Sequence, residues 1–145
     1  WQMPEKTAED MRPDGFFVTG DLGRFDGDGY LTIVGRQKDL IITGGFNVYP
    51  KEIETAIDAL PGVLESAVIG VPHPDFGEAV VAVVTPAPGA DPAPDEAVVV
   101  AALRDVLARF KQPKRVILVD ELPRNTMGKV QKAELRRLHA DLFRT

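Results

Sequence analysis

Cysteine is absent from the 145 residues. That excludes disulfides, thiolate metal sites and an enzyme-bound cysteine thioester, so any thioester made here takes its thiol from another molecule. Histidine is nearly absent, with two copies. His73 stands between two prolines and His139 has no nearby ligand partners, so neither a Ser-His-Asp set nor a histidine metal site can be assembled. Aromatics make up only 7% of a chain with net charge −5, a combination that argues against nucleic acid as a partner. Long apolar runs are missing too. The longest, residues 79–84 and 97–103, are core-sized and well short of the roughly 20 residues that span a bilayer, so no membrane partner is expected. The N-terminus lacks the basic-then-apolar layout of a signal peptide, and the missing cysteine fits a reducing compartment; the cytoplasm is the expected location. The chain starts at Trp1 rather than Met, which reads as a fragment of a longer polypeptide.

What is present is an ordinary globular balance, 44% hydrophobic and 27% charged, enough for one core and a small second unit. The charge is uneven. Residues 1–100 hold six Lys/Arg against 17 Asp/Glu, and residues 101–145 hold eleven against five. A basic tail of this kind suits a small phosphorylated ligand, the alternative being a solvated helix face.

Along the chain, residues 16–22 and 30–35 read as two strands joined by the turn Asp26-Gly27-Asp28-Gly29, a β-hairpin. Two strands alone are marginal in water, so the hairpin should belong to a larger sheet. Residues 35–39 form a charged break, and the chain divides there into 1–37 and 38–145. After short apolar pieces at 40–43 and 46–49, Pro50 opens a helix reaching about residue 60, with Glu52 and Glu54 near its positive end. Residues 63–71 and 79–86 are valine-rich strands around a loop at 72–77. A Pro/Ala/Gly linker at 87–94 leads to a helix over about 95–110. There Val99, Leu103, Val106, Leu107 and Phe110 share a face and Arg104 lies off it. Residues 115–119 form a third strand, 123–129 a polar loop, and 131–143 a last helix burying Leu135, Leu138 and Leu142. The expected fold is α+β, a mainly antiparallel sheet covered by helices.

Four clusters can carry chemistry. In Thr19-Gly20-Asp21, a carboxylate beside a glycine can accept two hydrogen bonds from a diol such as a ribose; the alternative is a plain strand end. Gly35-Arg36-Gln37-Lys38-Asp39, followed by Gly44-Gly45, places opposite charges at a domain boundary, as a hinge requires, and lets a slender ligand approach the backbone. The alternative is a salt-bridged linker and a simple turn. Arg124-Asn125-Thr126-Met127-Gly128-Lys129 lacks the leading glycine of a P-loop, yet its lysine could be carried to a charged transition state. Alternatively it is an exposed loop lysine. Arg104, Lys111, Lys114 and Arg115 form a basic set suited to phosphate, or to solubility alone. The acidic turn at 26–29 lacks the ligand spacing of a calcium loop.

In order and spacing these clusters resemble the adenylate-forming superfamily of acyl-CoA synthetases, peptide-synthetase adenylation domains and luciferases. The likeness runs through Thr19-Gly20-Asp21, Gly35-Arg36-x-Lys38-Asp39, Gly45-x-x-Val48-x-Pro50-x-Glu52-Ile53-Glu54 and Phe110-Lys111-x-Pro113-Lys114. It continues through Leu122-Pro123-Arg124 to Gly128-Lys129, covering nearly the whole chain. The resemblance implies that residues 1–37 close a large N-terminal domain and that 38–145 are a mobile C-terminal domain. Asp21, assisted by Arg36, would hold the ribose of ATP and AMP, and Lys38 would be the hinge. Lys129 would be the lysine acting in adenylation. Gly44 and Gly45 would border the tunnel for the pantetheine of coenzyme A, with Arg104 near its nucleotide.

The implied reaction is carboxylate plus ATP giving acyl-adenylate and pyrophosphate, followed by attack of the coenzyme A thiol with release of AMP. The partners implied are a small carboxylic acid, ATP, coenzyme A and the N-terminal domain of the same polypeptide. Magnesium would accompany ATP, with its ligands mostly outside this chain, and the fragment alone would be inactive. The wording of residues 14–29, 41–52 and 68–81 resembles malonyl- or methylmalonyl-CoA synthetases. Alternatives are an adenylation domain that loads a carrier protein, for which no carrier serine motif follows, and a non-catalytic regulatory module of the same fold. Lys129 is also a candidate target for an acetyltransferase, since acetylation would remove its charge.

Overall fold

Asp26 makes the first reversal of the chain. Its carboxylate accepts from the amides of Asp28 and Tyr30 at 3.0 and 2.9 Å, and Gly29 takes a positive φ of 86°, a conformation that costs glycine little. In the computed structural model, which describes residues 2–144, this turn joins β1 (Asp21–Phe25) to β2 (Leu31–Arg36) in antiparallel register. The first strand thus starts later than expected: residues 16–20 make only the isolated bridge Met11↔Phe17, and Gly20 turns the chain at a φ of 73° just before β1. A helix absent from the sequence expectation, α1 (Pro4–Asp10), precedes the hairpin. It buries no residue. Its Lys6 instead pairs with Glu9 and Asp10 at 3.2 and 2.9 Å, the short-range support available to a helix with no apolar stripe.

The described residues fall into two compact units, one ending at Lys38 and the other starting at Asp39. The second is built on a five-stranded sheet in the order β4-β3-β6-β5, with β7 pairing β6. Its strands are β3 (Ile41–Thr43), β4 (Phe46–Val48), β5 (Val63–His73), β6 (Gly77–Pro86) and β7 (Arg115–Leu118). All pairings are antiparallel except β6 with β7, so the expected α+β class with a mainly antiparallel sheet holds.

Both faces of this sheet are covered. Alternate residues therefore enter two separate cores, and β6 reads as an unbroken apolar run. Val80, Ala82 and Val84 join Ile53 and Ile57 of α2 (Pro50–Asp58) and Val99 and Leu103 of α3 (Glu96–Leu103). Val81 and Val83, with Ala67, Ile69 and Val71 of β5, join Leu122, which follows β7, and Leu135 of α4 (Lys132–Leu138).

Two helices are shorter than expected. Asp95 caps α3 by accepting from Val98 N at 2.8 Å, but the helix stops at Leu103 rather than Phe110. The side-chain amide of Gln112 donates to the carbonyls of Arg104 and Leu107 at 3.2 and 2.9 Å, occupying acceptors that a continuing helix would have used. Val106 is consequently 68% exposed, while Phe110 lies in a short 3₁₀ turn and stacks on Phe46 at 4.7 Å. At the other end α4 stops at Leu138, which is 57% exposed instead of buried. Leu142 and Phe143 pack onto the core from turns beyond it. The expected loop at 72–77 shrinks to a turn at 74–76, since β5 runs through His73 and β6 starts at Gly77.

Candidate functional site

In the first unit, Asp21 and Arg36 lie directly opposite across the hairpin. Arg36 Nε is 2.8 Å from Asp21 Oδ1 and its Nη1 donates to Thr19 O at 2.8 Å. Thr19 Oγ1 accepts from Asp21 N at 3.1 Å. The two strands thus place the carboxylate beside a guanidinium that orients it, and among the described residues Asp21 Oδ2 has no partner. Thr19, Gly20, Arg36 and Lys38 line one open depression of about 660 Å³. Lys38 itself is exposed, and no carboxylate among the described residues engages it.

In the second unit, Asp39 is held by α4. Arg136 Nη2 and Nη1 donate to its Oδ1 at 2.8 and 3.3 Å. Gly44 and Gly45 form the β3–β4 reversal, both at positive φ (55° and 82°), as a two-residue hairpin turn demands. Gly44 N donates to Phe76 O at 2.9 Å. Over the Phe76 ring sits Lys114 Nζ, 4.9 Å from the centroid, a favourable cation–aromatic contact. Lys114 and Arg104 in turn line a depression of about 640 Å³ with Asp95, Glu96 and Pro113. The basic set expected from sequence therefore divides. Arg104 and Lys114 stay available on one surface, whereas Lys111 pairs with Glu52 at 2.7 Å and Arg115 with Glu96 at 3.4 Å.

Lys129 ends a closed loop bridged by Arg124↔Val130. Asn125 N donates to Lys129 O and Gly128 N donates to Asn125 O, both at 2.9 Å. Asn125 Oδ1 accepts from Lys129 N at 2.9 Å and from Met127 N at 3.0 Å. Arg124 Nη1 donates to Gly128 O at 2.7 Å while its Nη2 pairs with Glu65 of β5. The backbone is ordered, yet the Lys129 side chain is exposed, and among the described residues its ammonium has neither hydrogen bond nor ion pair. Such a cation can be presented to an incoming anion.

Sequence reasoning missed the groups that hold these parts in place. Glu54, 7% exposed, accepts from Val68 N at 2.9 Å and pairs with Lys132 Nζ at 2.5 Å, linking α2, β5 and α4. Glu78 Oε2 accepts from Ile42 N at 2.8 Å; a Cβ at Gly70 would lie 2.6 Å from its Oε1. On α4, the hydrogen bond from Arg137 keeps the exposed Glu134 carboxyl below the usual glutamate range. Only Glu54 had a signal, as part of the motif after Pro50. Among the described residues no group of three His, Cys, Asp or Glu could hold a metal ion, and no helix is long and apolar enough to cross a membrane.

Residues 52–129 match the family described as the AMP-binding enzyme C-terminal domain. The chain is 50% identical over 137 residues to a feruloyl-CoA synthase of an Amycolatopsis species, covering 94% of this chain and 27% of that protein. It is 46% identical over 138 residues to a 2-succinylbenzoate–CoA ligase of Geobacillus kaustophilus, covering 95% of this chain and 28% of that protein. Among solved structures, ATP-bound MatB from Rhodopseudomonas palustris superposes with a TM-score of 0.89 at 63% identity, over 99% of this chain and 28% of that one. The chain spans about a quarter of the length of the curated relatives it matches.

Proposed function

We propose, on the premise that this chain belongs to the AMP-binding enzyme C-terminal domain family, that it is the C-terminal portion of an ATP-dependent, AMP-forming acyl-CoA synthetase. Residues 1–37 are the end of its large N-terminal domain, and 38–145 are the domain that moves after the hinge. The observation that carries this reading is Lys129, a bare ammonium on a loop whose backbone is tied at both ends.

In the first step Lys129 stabilises negative charge where the acid's carboxylate meets the α-phosphate and pyrophosphate leaves, a contribution of several kcal/mol for a well-placed cation. Asp21 accepts from the ribose hydroxyls; its ion pair with Arg36 keeps the carboxylate turned toward them. Magnesium would accompany the ATP phosphates, with its ligands mostly in the preceding domain, since no group of three His, Cys, Asp or Glu among the described residues could hold it. In the second step the coenzyme A thiolate attacks the acyl carbonyl and AMP departs. Lys38 is the pivot between the two poses. Gly44 and Gly45 border the pantetheine path, where a Cβ at Gly45 would meet nothing within 4 Å beyond its chain neighbours. Arg104 and Lys114 face the phosphates of coenzyme A.

The acid is malonate or methylmalonate. Support comes from the resemblance in residues 14–29, 41–52 and 68–81 and from the 63% identity to MatB. Relatives named for feruloyl and 2-succinylbenzoate substrates share the same domain at 50% and 46% identity, so the choice of acid belongs to the preceding domain. The exposed Lys129 ammonium is also open to an acetyltransferase, which would switch the first step off; unmodified Lys129 after incubation with active lysine acetyltransferase and acetyl-CoA would count against that.

The test compares wild type with Lys129→Ala in the full-length protein, in two half-reactions. Malonate-dependent ATP–pyrophosphate exchange should collapse, while acylation of coenzyme A from pre-formed adenylate persists. Survival of both activities returns Lys129 to the status of a surface residue.

A further inference from the structure

We propose that Asn125 is the positioning residue of Lys129, an inference that rests on the reading of Lys129 as the adenylating lysine. Both polar main-chain groups of Lys129 end on this one residue. Lys129 N donates to Asn125 Oδ1 at 2.9 Å, and Lys129 O accepts from Asn125 N at 2.9 Å. The same Oδ1 takes Met127 N at 3.0 Å, and Asn125 O takes Gly128 N at 2.9 Å. Gly128, at a φ of 76°, supplies the left-handed step that closes the loop without steric cost. The result is a lysine whose Cα is fixed and whose four-carbon arm is free.

The neighbouring contacts extend the clasp to the sheet. Arg124 grips Gly128 O at 2.7 Å and pairs with Glu65 on β5, and Lys132, just past the loop, pairs with the buried Glu54. The Lys129 Cα is thus tied to the rigid part of the domain before any ligand arrives. When that domain swings, the lysine is delivered at a set height and angle, and misplacing a reacting group by about 1 Å can cost on the order of a hundredfold in rate. The side chain at 125 must end in a planar oxygen acceptor on a short stem, which Asn and Asp both supply. Asn does so without placing a carboxylate beside the ammonium and the nucleotide phosphates.

The experiment uses the full-length protein with Asn125→Leu, Asn125→Asp and Lys129→Ala. Asn125→Leu keeps the branched four-heavy-atom skeleton, though in a bulkier side chain, and removes the acceptor. It should lower acid-dependent ATP–pyrophosphate exchange by at least about tenfold, while acylation of coenzyme A from pre-formed adenylate stays within about twofold of wild type. Asn125→Asp keeps the acceptor but adds a carboxylate, so its pyrophosphate exchange should lie between those of Asn125→Leu and wild type, and amide hydrogen exchange at Met127 and Lys129 should accelerate in the Leu variant alone. If Asn125→Leu exchanges pyrophosphate at the wild-type rate while Lys129→Ala does not, the clasp is irrelevant to catalysis and the inference falls, with the role of Lys129 intact. Equal losses in both half-reactions would make Asn125 a general structural residue and also overturn it. Full pyrophosphate exchange in Lys129→Ala would remove the premise and the inference together.

Discussion

Arg136 and Asp39, 97 residues apart in sequence, meet through two guanidinium nitrogens on a single carboxylate oxygen. Both side chains are largely shielded, at 28% and 16% exposure. The contact pins the first residue of the second unit to its last helix, immediately after the proposed hinge Lys38. In the proposed movement about Lys38, Asp39 would travel with the second unit. Arg136→Ala should lower the unfolding free energy by about 1.5–3 kcal/mol, the range for a hydrogen bond to a charged group. Urea melts of Arg136→Ala, Asp39→Ala and the double variant check this. Additive losses would mean that the two side chains are not coupled.

Glu54 and Lys132 behave differently because the carboxylate is deeply buried. Lys132→Ala strands that charge and should cost about 3–5 kcal/mol. Glu54→Ala frees Val68 N and should cost about 1–3 kcal/mol. Replacing both together, Glu54→Leu with Lys132→Met, should be less damaging than Lys132→Ala alone. Denaturant midpoints of the three variants decide it, and a double replacement worse than the single one would show that the pair contributes net stability.

Gly70 leaves room for Glu78. An added methyl would sit 2.6 Å from Glu78 Oε1 and 2.9 Å from its Cδ, so the carboxylate must move and release Ile42 N. Gly70→Ala should cost about 1–3 kcal/mol. In a Glu78→Ala background the same change should cost less, since only the Ile41 Cγ2 contact at 3.1 Å remains. Thermal melts of the four proteins give the comparison.

Gly45 offers a test on activity. With open space around it and a φ of 82°, Gly45→Leu should cost only about 1–2 kcal/mol of stability. In the full-length protein it should slow acylation of coenzyme A by about tenfold or more, because the bulk lies in the proposed pantetheine path. ATP–pyrophosphate exchange should be unaffected. A loss confined to exchange would place Gly45 outside that path.

The parts of this fold visible in the sequence were those fixed by local chemistry. Asp26 and its glycines marked the hairpin turn, Pro50 the start of α2, and the valine runs β5 and β6. The α3 overrun is instructive. Val99, Leu103, Val106, Leu107 and Phe110 keep helical spacing, but Gln112 captures the Arg104 and Leu107 carbonyls from beyond the helix, a competition that periodicity does not encode. α1 escaped notice because its support is charge pairing rather than an apolar stripe.

The site divides in the same way. Ordered motifs single out Asp21, Lys38 and Lys129 as candidates in the sequence, and the Asp21–Arg36 pairing follows from the hairpin register. Gly44 and Gly45 were read as room for a ligand; the structure adds their role in turning β3 into β4. The anchors Arg136, Lys132 and Glu65 carry no local mark, since each gains its partner only when distant segments are brought together. Asn125 was in plain view, but what it holds depends on loop closure.

The two-sided sheet has a consequence for biosynthesis. A chain leaves the ribosome N-terminus first, and the covering for Ala67, Ile69, Val71, Val81 and Val83 comes from Leu122 and Leu135. Until α4 is translated, Leu122 is in place without Leu135, so one side of the β5–β6 ribbon is only partly covered, and Asp39 and Glu54 wait for Arg136 and Lys132. The second unit therefore matures as a late event, and a nascent chain paused before residue 132 presents a sticky valine-rich ribbon suited to capture by a holding chaperone.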